Sequence, residues 1–401
     1  MVTTTSGDRR TALDPCDMYG LDDLLTDDER AIRDTLRAFV NERARPLMAD
    51  AYEAGSFPRE LIPELGALGV LGMALEGYGC AGTSARAYGV ATREFEACDS
   101  GLRSFVSVQG SLAMFPIWAY GSEEQKLRWL PQMAQGKVIG CFGLTEPDAG
   151  SDPSSMRTSA RRDGDDWVLS GSKMWITNGS VADVAVVWAQ TGEGIGGFLV
   201  ERGMKGFTAS DIPQKLSLRA SVTSELHFDN VRLPRSAKLP LAQGLRAPLS
   251  CLTEARYGIA WGVLGAAMDC MSVVLRYCDE RLVFGAPLGR FQLTQGKLAE
   301  MSTSLTTAQV LAWRLAELKE QEMLRPVHVS MAKRNNVRAA LDIAREARTI
   351  LGANGITLAY PVMRHMANLE SVLTYEGTEE VHALVIGQAL TGQSAFGGSG
   401  E

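Results

Sequence analysis

The hydrophobic pattern changes twice along this chain of 401 residues, and each change limits the folds that it can adopt. The first third has the pattern of helices. A capping box formed by Thr26 and Glu29 precedes apolar residues on one helical face, and Pro46 is expected to end or kink this first helix. Further helices are predicted around 59–69, 82–98, 102–118 and 122–134.

The middle third has the short apolar runs and glycine-rich turns of β-structure. Residues 167–169 and 174–177 are predicted to form two strands joined by a tight turn at 170–172. Further strands are expected within 184–200 and at 225–228. The sequence therefore predicts a β-domain over 139–243, preceded by a helical domain over 15–138 and a disordered tail over 1–14.

The last third, residues 244–401, predicts a third domain made of long helices. Long helices joined by short loops pack as a bundle. Helices, strands and helices follow one another in blocks here, whereas a doubly wound sheet needs them to alternate. The predicted class is therefore α+β. The predicted helices of the last third are 246–279, 291–320, 326–351 and 379–391.

Composition excludes several classes of protein. A formal net charge of −7 argues against a broad nucleic-acid surface. The seven cysteines form no CxxC pair, which favours reduced thiols in a cytoplasmic protein. The four histidines lack zinc-site spacing, so no metal is expected. The first residues lack the apolar core of a signal peptide, and no segment is expected to span a membrane.

Two segments of the middle third are suited to a flat or phosphorylated ligand. The loop 142–151 contains Gly150, and its backbone N–H groups can cradle a phosphate, while Thr145 and Ser151 add hydroxyls. The same loop is also consistent with a plain entry turn to the β-domain. Trp175, near a strand end, can shield an aromatic cofactor or fill the core, and the two interpretations are equally supported.

Residues of the last third allow two interpretations of the same kind. Arg281 can pair with a pyrophosphate and Phe284 can pack on a flat ring, but a cation at the end of a helix also favours the helix dipole. Gly352 lies in a glycine turn that is typical of a helix C-cap and is less often a ligand clamp.

A carboxylate in a glycine-flanked turn is the strongest candidate for chemistry. Glu376 precedes Gly377, and such a turn lets the side chain point into a cavity, where desolvation raises its pKa towards that of a general base. Thr378 is expected to cap the following helix. In the first third, Arg103 follows a glycine on a predicted helix and can clamp a carboxylate or lie on the surface.

Taken together, these residues resemble the acyl-CoA dehydrogenase family over about residues 20–396. The resemblance implies an N-terminal helical domain, a central β-domain with a small barrel-like sheet and a C-terminal four-helix bundle. Within the family the chain is most similar to glutaryl-CoA dehydrogenases. The segments that carry the resemblance are 142–151, 175–177, Arg281, Gln292 and 375–378 for the family, and 99–108, 153–156, 255–262 and 368–370 for the subfamily.

The resemblance also implies roles for individual residues. Glu376 is the implied catalytic base, and Arg103, assisted by Ser104 and held by Glu96, is implied to bind the distal carboxylate of the acyl chain. The other implied substrate-binding residues are Ser151, Leu252, Thr253, Arg256, Tyr375 and Gly377. The residues implied to bind FAD are Phe142, Leu144, Thr145, Gly150, Ser151, Trp175, Ile176, Thr177, Arg281, Phe284, Gln292, Leu351, Gly352, Thr378, Glu380 and Phe396.

The implied reaction is FAD-dependent α,β-dehydrogenation of a dicarboxylic acyl-CoA, followed for glutaryl-CoA by loss of CO2 to give crotonyl-CoA. Electron-transfer flavoprotein is the implied acceptor, and a homotetramer is the implied assembly. Leu102, Phe105 and Thr253 depart from the subfamily pattern and leave acyl length and branching open. The alternatives are a non-decarboxylating or specialised dehydrogenase for a branched or substituted acyl-CoA and, more distantly, a non-catalytic helical adaptor.

Overall fold

The computed structural model of the chain describes residues 13–396, so most of the predicted tail lies outside the described residues. The first long helix, α1 (Asp27–Phe39), begins at the predicted capping box. The Thr26 hydroxyl accepts a hydrogen bond from the Glu29 N–H (3.3 Å), and the Glu29 carboxylate accepts one from the Thr26 N–H (3.0 Å). The predicted start of this helix is confirmed.

The run does not end at Pro46, which corrects one of the two alternatives given for that residue. A π-type turn, Val40–Ala44, passes directly into α2 (Arg45–Ala54), where Pro46 lies in the first turn and its missing N–H costs little. The remaining N-terminal helices are α3 (Leu61–Ala67), α4 (Ala85–Glu96), α5 (Ser100–Ser107), a π-type segment (Val108–Met114), α6 (Phe115–Tyr120) and α7 (Glu123–Ala134).

The middle of the chain forms a seven-stranded mixed sheet in the order β1-β4-β2-β3-β7-β6, with β5 beside β4. The predicted pair of strands around 170–172 is wrong, because 166–177 forms one bent strand. Gly171 lies at a register shift in it, and a Cβ there would lie 2.5 Å from the Thr158 hydroxyl. The strands are β1 (Gly140–Gly143), β2 (Ser159–Asp163), β3 (Asp166–Thr177), β4 (Val184–Thr191), β5 (Gly194–Glu201), β6 (Phe207–Asp211) and β7 (Thr223–Leu233).

The last third is helical, as predicted, and it contains one helix that the pattern did not reveal. That helix, α11, lies directly before the turn that carries Glu376. A short hairpin of β8 (Leu282–Val283) and β9 (Ala286–Pro287) separates the first two helices. The helices are α8 (Arg246–Glu280), α9 (Gln292–Glu320), α10 (Pro326–Leu351), α11 (Val362–Thr374) and α12 (Glu379–Thr391). The predicted α+β class is confirmed.

Helix α8 corrects the expectation that no segment is long and apolar enough to span a membrane. Among the described residues, this one helix of 35 residues meets both criteria by length and composition. Most of its apolar stretch is buried within the protein, against α4, α9 and α10. Its hydrophobicity is therefore accounted for by its position at the centre of the helical core.

Helices α4 and α8 approach so closely that two glycines are required between them. A Cβ on Gly265 would collide with the Arg93 carbonyl oxygen of α4. On the opposite face of the contact, a Cβ on Gly89 would lie 2.5 Å from the Trp261 ring of α8. We therefore expect Gly265→Ala to destabilise the protein by about 1–3 kcal/mol, because the two backbones must separate.

The matched control for this change is Gly296→Ala in α9. No heavy atom lies within 4 Å of the Cβ position at Gly296, so alanine there should stabilise the helix by about 0.5–1 kcal/mol. Thermal unfolding of the two FAD-loaded variants measures the difference. Equal melting temperatures would contradict the close approach of α4 and α8.

Candidate active site

A cavity of about 1420 Å³ lies where the N-terminal helices, the sheet and the C-terminal helices meet. Its wall is mostly apolar, with polar groups contributed by a few side chains, which is the usual character of a cofactor or substrate site. Sixteen of the residues implied by the resemblance line this one cavity. They are Phe142, Leu144, Thr145, Gly150, Ser151, Trp175, Ile176, Thr177, Leu252, Thr253, Arg256, Tyr375, Glu376, Gly377, Thr378 and Phe396.

The other implied residues lie away from the cavity wall. Glu96, Arg103 and Ser104 are buried directly behind it. Arg281, Phe284 and Gln292 are exposed at the far end of α8 and the start of α9. Leu351 is buried at the end of α10, while Gly352 and Glu380 are exposed. Within one chain these last six residues do not join the cavity, and their roles stay predictions.

The turn that carries Glu376 is held in an uncommon conformation between α11 and α12. Glu376 has φ 52° and Gly377 has φ 92°, both in the left-handed region. A side chain at position 377 would lie 2.9 Å from the His382 ring, so glycine is required there on two counts. The Thr378 hydroxyl accepts a hydrogen bond from the Val381 N–H (3.2 Å), which confirms the predicted helix cap.

Polar groups from two helices fix the backbone of this turn. The Arg256 Nε of α8 donates to the Glu376 carbonyl (2.7 Å). The Lys333 Nζ of α10 donates to the carbonyls of Tyr375 and Gly377, each at 2.6 Å. Left-handed backbone is unfavourable for a residue with a Cβ and persists where its surroundings determine it. These three hydrogen bonds supply that constraint, and they leave the Glu376 side chain to face the cavity.

The Glu376 carboxylate has the environment of a general base. Its Oε2 is buried and forms no hydrogen bond with the described residues. Burial raises the pKa of this carboxyl above its ordinary value, and the positive charges of Arg103, Lys333 and Arg256 oppose the rise. A base whose pKa is raised binds a proton more tightly, and it therefore accepts one from substrate more readily.

This electrostatic balance predicts a pH dependence. As the pH falls through the pKa of Glu376, the carboxylate takes up a proton and can no longer accept one from substrate. We therefore expect kcat/KM to fall on the acid side with an apparent pKa above the ordinary value of 4.5. Butyryl-CoA is the suitable substrate for this measurement, because its acyl group carries no second carboxyl that titrates. An apparent pKa of kcat/KM at or below 4.5 would contradict the raised pKa of Glu376.

The loop 142–151 and the strand β3 are tied together on the opposite wall of the cavity. The Met174 N–H donates to the Thr145 carbonyl (2.9 Å). Beneath it, the buried Lys173 ammonium donates to the Leu144 carbonyl (2.9 Å) and to the Glu146 carboxylate (2.8 Å). Burial lowers the pKa of Lys173 to about 8. The sequence did not predict this pair, although the position of Lys173 directly before the apolar run 174–176 was a signal for it.

Trp175 reaches the cavity because β3 is irregular at that point. The pairing of β3 with β7 is interrupted between Lys173 and Ile176, and Trp175 has φ 63°. A bulge of this kind redirects a side chain out of the alternating pattern of a strand. The indole is 54% exposed and lines the cavity, whereas the neighbouring Ile176 is buried. Of the two interpretations of Trp175, the geometry favours the ligand-facing one.

Arg103 does not line the cavity, but it donates a hydrogen bond to a residue that does. Its Nε donates to the Glu96 carboxylate (2.5 Å), and its Nη2 donates to the hydroxyl of Tyr375, which does line the cavity. Both charged side chains are fully buried. Burial disfavours the charged guanidinium, but Glu96 and Tyr375 more than offset this and hold the Arg103 pKa above its ordinary value. The Arg103 Nη1 is buried and has no partner among the described residues.

The residues that depart from the subfamily pattern occupy different places. Phe105 is buried and stacks on Phe57 with ring centroids 4.7 Å apart, and Leu102 is buried as well. Neither side chain lines the cavity. Thr253 does line it, and its hydroxyl donates to the Leu249 carbonyl (3.0 Å) within α8. Of the three departures, only Thr253 is in a position to alter contacts with a ligand.

The residues on the sheet side of the cavity fit a flavin. Trp175 offers an aromatic face, while the hydroxyls of Thr145, Ser151 and Thr177 lie along the same wall. Gly150 has no heavy atom within 4 Å of its Cβ position, so a ligand can approach that backbone closely. Within residues 13–396, no group of three or more His, Cys, Asp or Glu side chains is arranged to hold a metal ion.

Comparisons with known proteins agree with this geometry. Three acyl-CoA dehydrogenase family models match the chain: the N-terminal domain over 26–137, the middle domain over 141–231 and the C-terminal domain over 242–391. The human mitochondrial short-chain specific acyl-CoA dehydrogenase is 36% identical over 369 residues, which cover 90% of each chain.

Solved structures extend the comparison. A glutaryl-CoA dehydrogenase from Mycobacterium smegmatis, in complex with FADH2, has a TM-score of 0.94 and 60% identity over 96% of this chain and 99% of the other. A chain in a structure of the electron transferring flavoprotein of Acidaminococcus fermentans has a TM-score of 0.89 and 34% identity, covering 92% of this chain and 99% of the other. Members of this family depend on FAD, so the predicted cofactor is confirmed. The chain belongs to the acyl-CoA dehydrogenase family.

Proposed function

We propose that this acyl-CoA dehydrogenase oxidises a dicarboxylic acyl-CoA, and that glutaryl-CoA is converted to crotonyl-CoA and CO2. The observation that carries the proposal is the unpaired Nη1 of the buried Arg103, behind the wall that holds Tyr375 and Glu376. A buried guanidinium nitrogen without a partner is costly. A carboxylate at the tail of the acyl chain would satisfy it if substrate binding displaces the Tyr375 side chain, which lies between Arg103 and the cavity. An aliphatic acyl chain would leave it unpaired.

The charges around the site also favour a second carboxylate. Arg103 and Arg256 carry two positive charges, and Lys333 adds a third when it is protonated, because burial lowers its pKa to about 7. Glu96 and Glu376 carry two negative charges. All five groups are buried or nearly so, and a substrate carboxylate would balance the formal excess of one positive charge. The 60% identity to a glutaryl-CoA dehydrogenase supports the same choice of substrate.

In the proposed reaction, Glu376 removes the α-proton of the thioester. Polarisation of the thioester carbonyl makes that proton acidic. The Glu376 N–H is proposed as one hydrogen-bond donor to this carbonyl oxygen. It forms no hydrogen bond with another residue in the part of the chain that the structure describes. When bound, FAD would supply the redox chemistry as the acceptor of the β-hydrogen with its two electrons, that is, of a hydride. The γ-carboxylate of the oxidised product leaves as CO2, and protonated Glu376 returns its proton to the γ-carbon.

A second candidate is the oxidation of a short, unbranched monocarboxylic acyl-CoA. The apolar side chains Val108, Leu112 and Leu252 of the cavity wall and the 36% identity to a short-chain specific enzyme favour it. Phe105 and Thr253 suggested a substituted or branched substrate, and only Thr253 still supports it, because the Phe105 ring is stacked in the N-terminal core. The non-catalytic adaptor also has little support, because a buried carboxylate without a partner has no structural use.

Anaerobic titration of the FAD-loaded protein separates the candidates. Glutaryl-CoA should bleach the flavin and release one CO2 per flavin, and butyryl-CoA should bleach it more slowly. Bleaching by glutaryl-CoA without CO2 would indicate a non-decarboxylating dicarboxylic enzyme. Faster bleaching by butyryl-CoA would instead support the short-chain function.

We further propose a homotetramer in the cytoplasm that passes its electrons to an electron-transfer flavoprotein. The hairpin after α8 supports the assembly, because Phe284 is 96% exposed at φ 51°, and Leu293 beside it is 86% exposed. Apolar side chains exposed together mark a surface that a partner covers. The chain matched in the Acidaminococcus fermentans structure supports the acceptor. Light scattering measures the assembly, and reduction of added flavoprotein tests the acceptor.

A further inference from the structure

Lys333 holds the backbone on both sides of Glu376 without being part of the cavity wall. Its side chain comes from the middle of α10 and is 1% exposed. Its Nζ donates to the carbonyls of Tyr375 and Gly377, both at 2.6 Å, so a single ammonium spans the turn. The sequence analysis did not identify it, since a lysine in an amphipathic helix is ordinarily on the solvent side.

These contacts act on the conformation that aims the base. Glu376 has φ 52°, which a residue with a Cβ rarely adopts, and α11 ends only two residues before it. Two carbonyls that converge on one ammonium limit how far the turn can rotate. Replacing the lysine with an apolar side chain would release both carbonyls at once and allow the carboxylate to swing away from the reacting carbon.

We propose that Lys333 is a positioning residue for this base: its two hydrogen bonds keep the Glu376 turn aimed into the cavity, and its positive charge favours the ionised carboxylate. The inference rests on the proposed role of Glu376 as the base. Lys333 itself makes no contact with the cavity and is not proposed to touch substrate.

The charged and titratable groups that face Glu376 come from every element packed around it. They are Arg103 of α5, Arg256 of α8, Lys333 of α10, His382 of α12 and the phenol of Tyr375. Burial lowers the pKa of His382 to about 3, so that ring is neutral near pH 7. The three cations all lower the pKa of Glu376, and Lys333 is the one that also holds the backbone on both sides. Burial lowers the pKa of Lys333 to about 7, so its charge is present on the acid side of the pH profile.

The test compares Lys333→Met and Lys333→Gln with a control on the same helix. Asn336 is buried three residues further along α10 and donates to the carbonyls of Ala260 (2.8 Å) and Ala308 (3.1 Å). Asn336→Leu therefore removes two hydrogen bonds to buried carbonyls without touching the Glu376 turn. The measurements are bound FAD, melting temperature, kcat, and the pH profile of kcat/KM for butyryl-CoA, which carries no titrating carboxyl. The acid limb of this profile is the pH range in which kcat/KM falls as the pH falls.

We expect Lys333→Met to keep FAD, to lose about 100-fold in kcat, and to shift the acid limb to higher pH. The limb shifts upward because removal of a neighbouring cation makes the Glu376 carboxylate easier to protonate. Lys333→Gln keeps a donor but no charge, so it should show the same shift of the limb with a smaller loss of kcat. Asn336→Leu should lose stability and leave the limb where it is.

Each possible result either supports or overturns the proposed role of Lys333. An unmoved acid limb in a folded Lys333 variant, or an equal shift in Asn336→Leu, would overturn it. If Lys333→Met fails to fold, the limb of Lys333→Gln decides alone. Glu376→Gln is measured in parallel: if that variant stays active, the proposed base is wrong, whereas an inactive Glu376→Gln beside a normal Lys333→Met refutes only the role of Lys333.

Discussion

Replacing Glu376 with glutamine is expected to lower kcat by about 10²- to 10⁴-fold, because the amide cannot accept the α-proton. The substitution preserves size and leaves the backbone hydrogen bonds from Arg256 and Lys333 in place, so the turn should keep its shape. Bound FAD should therefore be unchanged, which the flavin absorption spectrum measures. Stopped-flow reduction of the flavin measures the rate of the chemical step without the contribution of product release.

Glu379→Gln is the matched control for this variant. Glu379 lies three residues away in the first turn of α12, is partly exposed, and pairs with Arg334 and Arg338, both at 3.1 Å. Its neutralisation removes a carboxylate from the same region without reaching the cavity, and activity should change little. Glu376→Gln with near-normal turnover would mean that another group takes the proton.

Replacing Arg103 with methionine is expected to lower kcat/KM selectively for dicarboxylic substrates. The transition state for glutaryl-CoA should lose about 2–5 kcal/mol of stabilisation, measured from kcat/KM, since the partner carboxylate loses its buried cation. Butyryl-CoA has no carboxylate to lose, so its kcat/KM should fall much less. The ratio of the two kcat/KM values therefore measures the proposed clamp. An unchanged ratio would remove the support for a dicarboxylic substrate.

Arg103→Met alone also damages the protein, because it leaves Glu96 as a buried unpaired charge. The expected loss of stability is about 3–5 kcal/mol. The double variant Arg103→Met with Glu96→Gln removes both charges and should recover much of that stability. It should not recover the preference for glutaryl-CoA. This separates a clamp for substrate from a pair that only maintains the fold.

Local signals in the sequence were enough for the parts of the fold that short-range interactions decide. The capping box at Thr26 and the cap at Thr378 depend on residues three positions away, and both are confirmed. The irregular strand 166–177 was misjudged, because Gly171 resembles a turn glycine. Its conformation is decided by a contact with Thr158, which no local pattern reveals.

The residues of the candidate site also divide into those that local sequence signals identify and those that only contacts between distant positions identify. Several of the cavity-lining residues that could be identified lie in glycine-containing turns, such as the one around Glu376. The residues that were missed support the turns from behind. Lys173 lies 27 positions from Glu146, and Lys333 lies 42 positions from Tyr375, so only the folded chain brings them together. A buried lysine in a helix and a lysine on its surface have the same appearance in one sequence.

The geometry of α8 has a consequence for how the length of this chain can vary. One uninterrupted helix carries Arg256 at the cavity and Gly265 against α4, and it ends directly before Arg281. Inserting a single residue between Arg256 and Arg281 would turn the downstream part by about 100° and advance it by about 1.5 Å. If the insertion precedes Gly265, Leu264 takes the place of that glycine against the Arg93 carbonyl, where a Cβ would collide. Deletions and insertions should accordingly be tolerated in the loops that flank this helix and rejected within it.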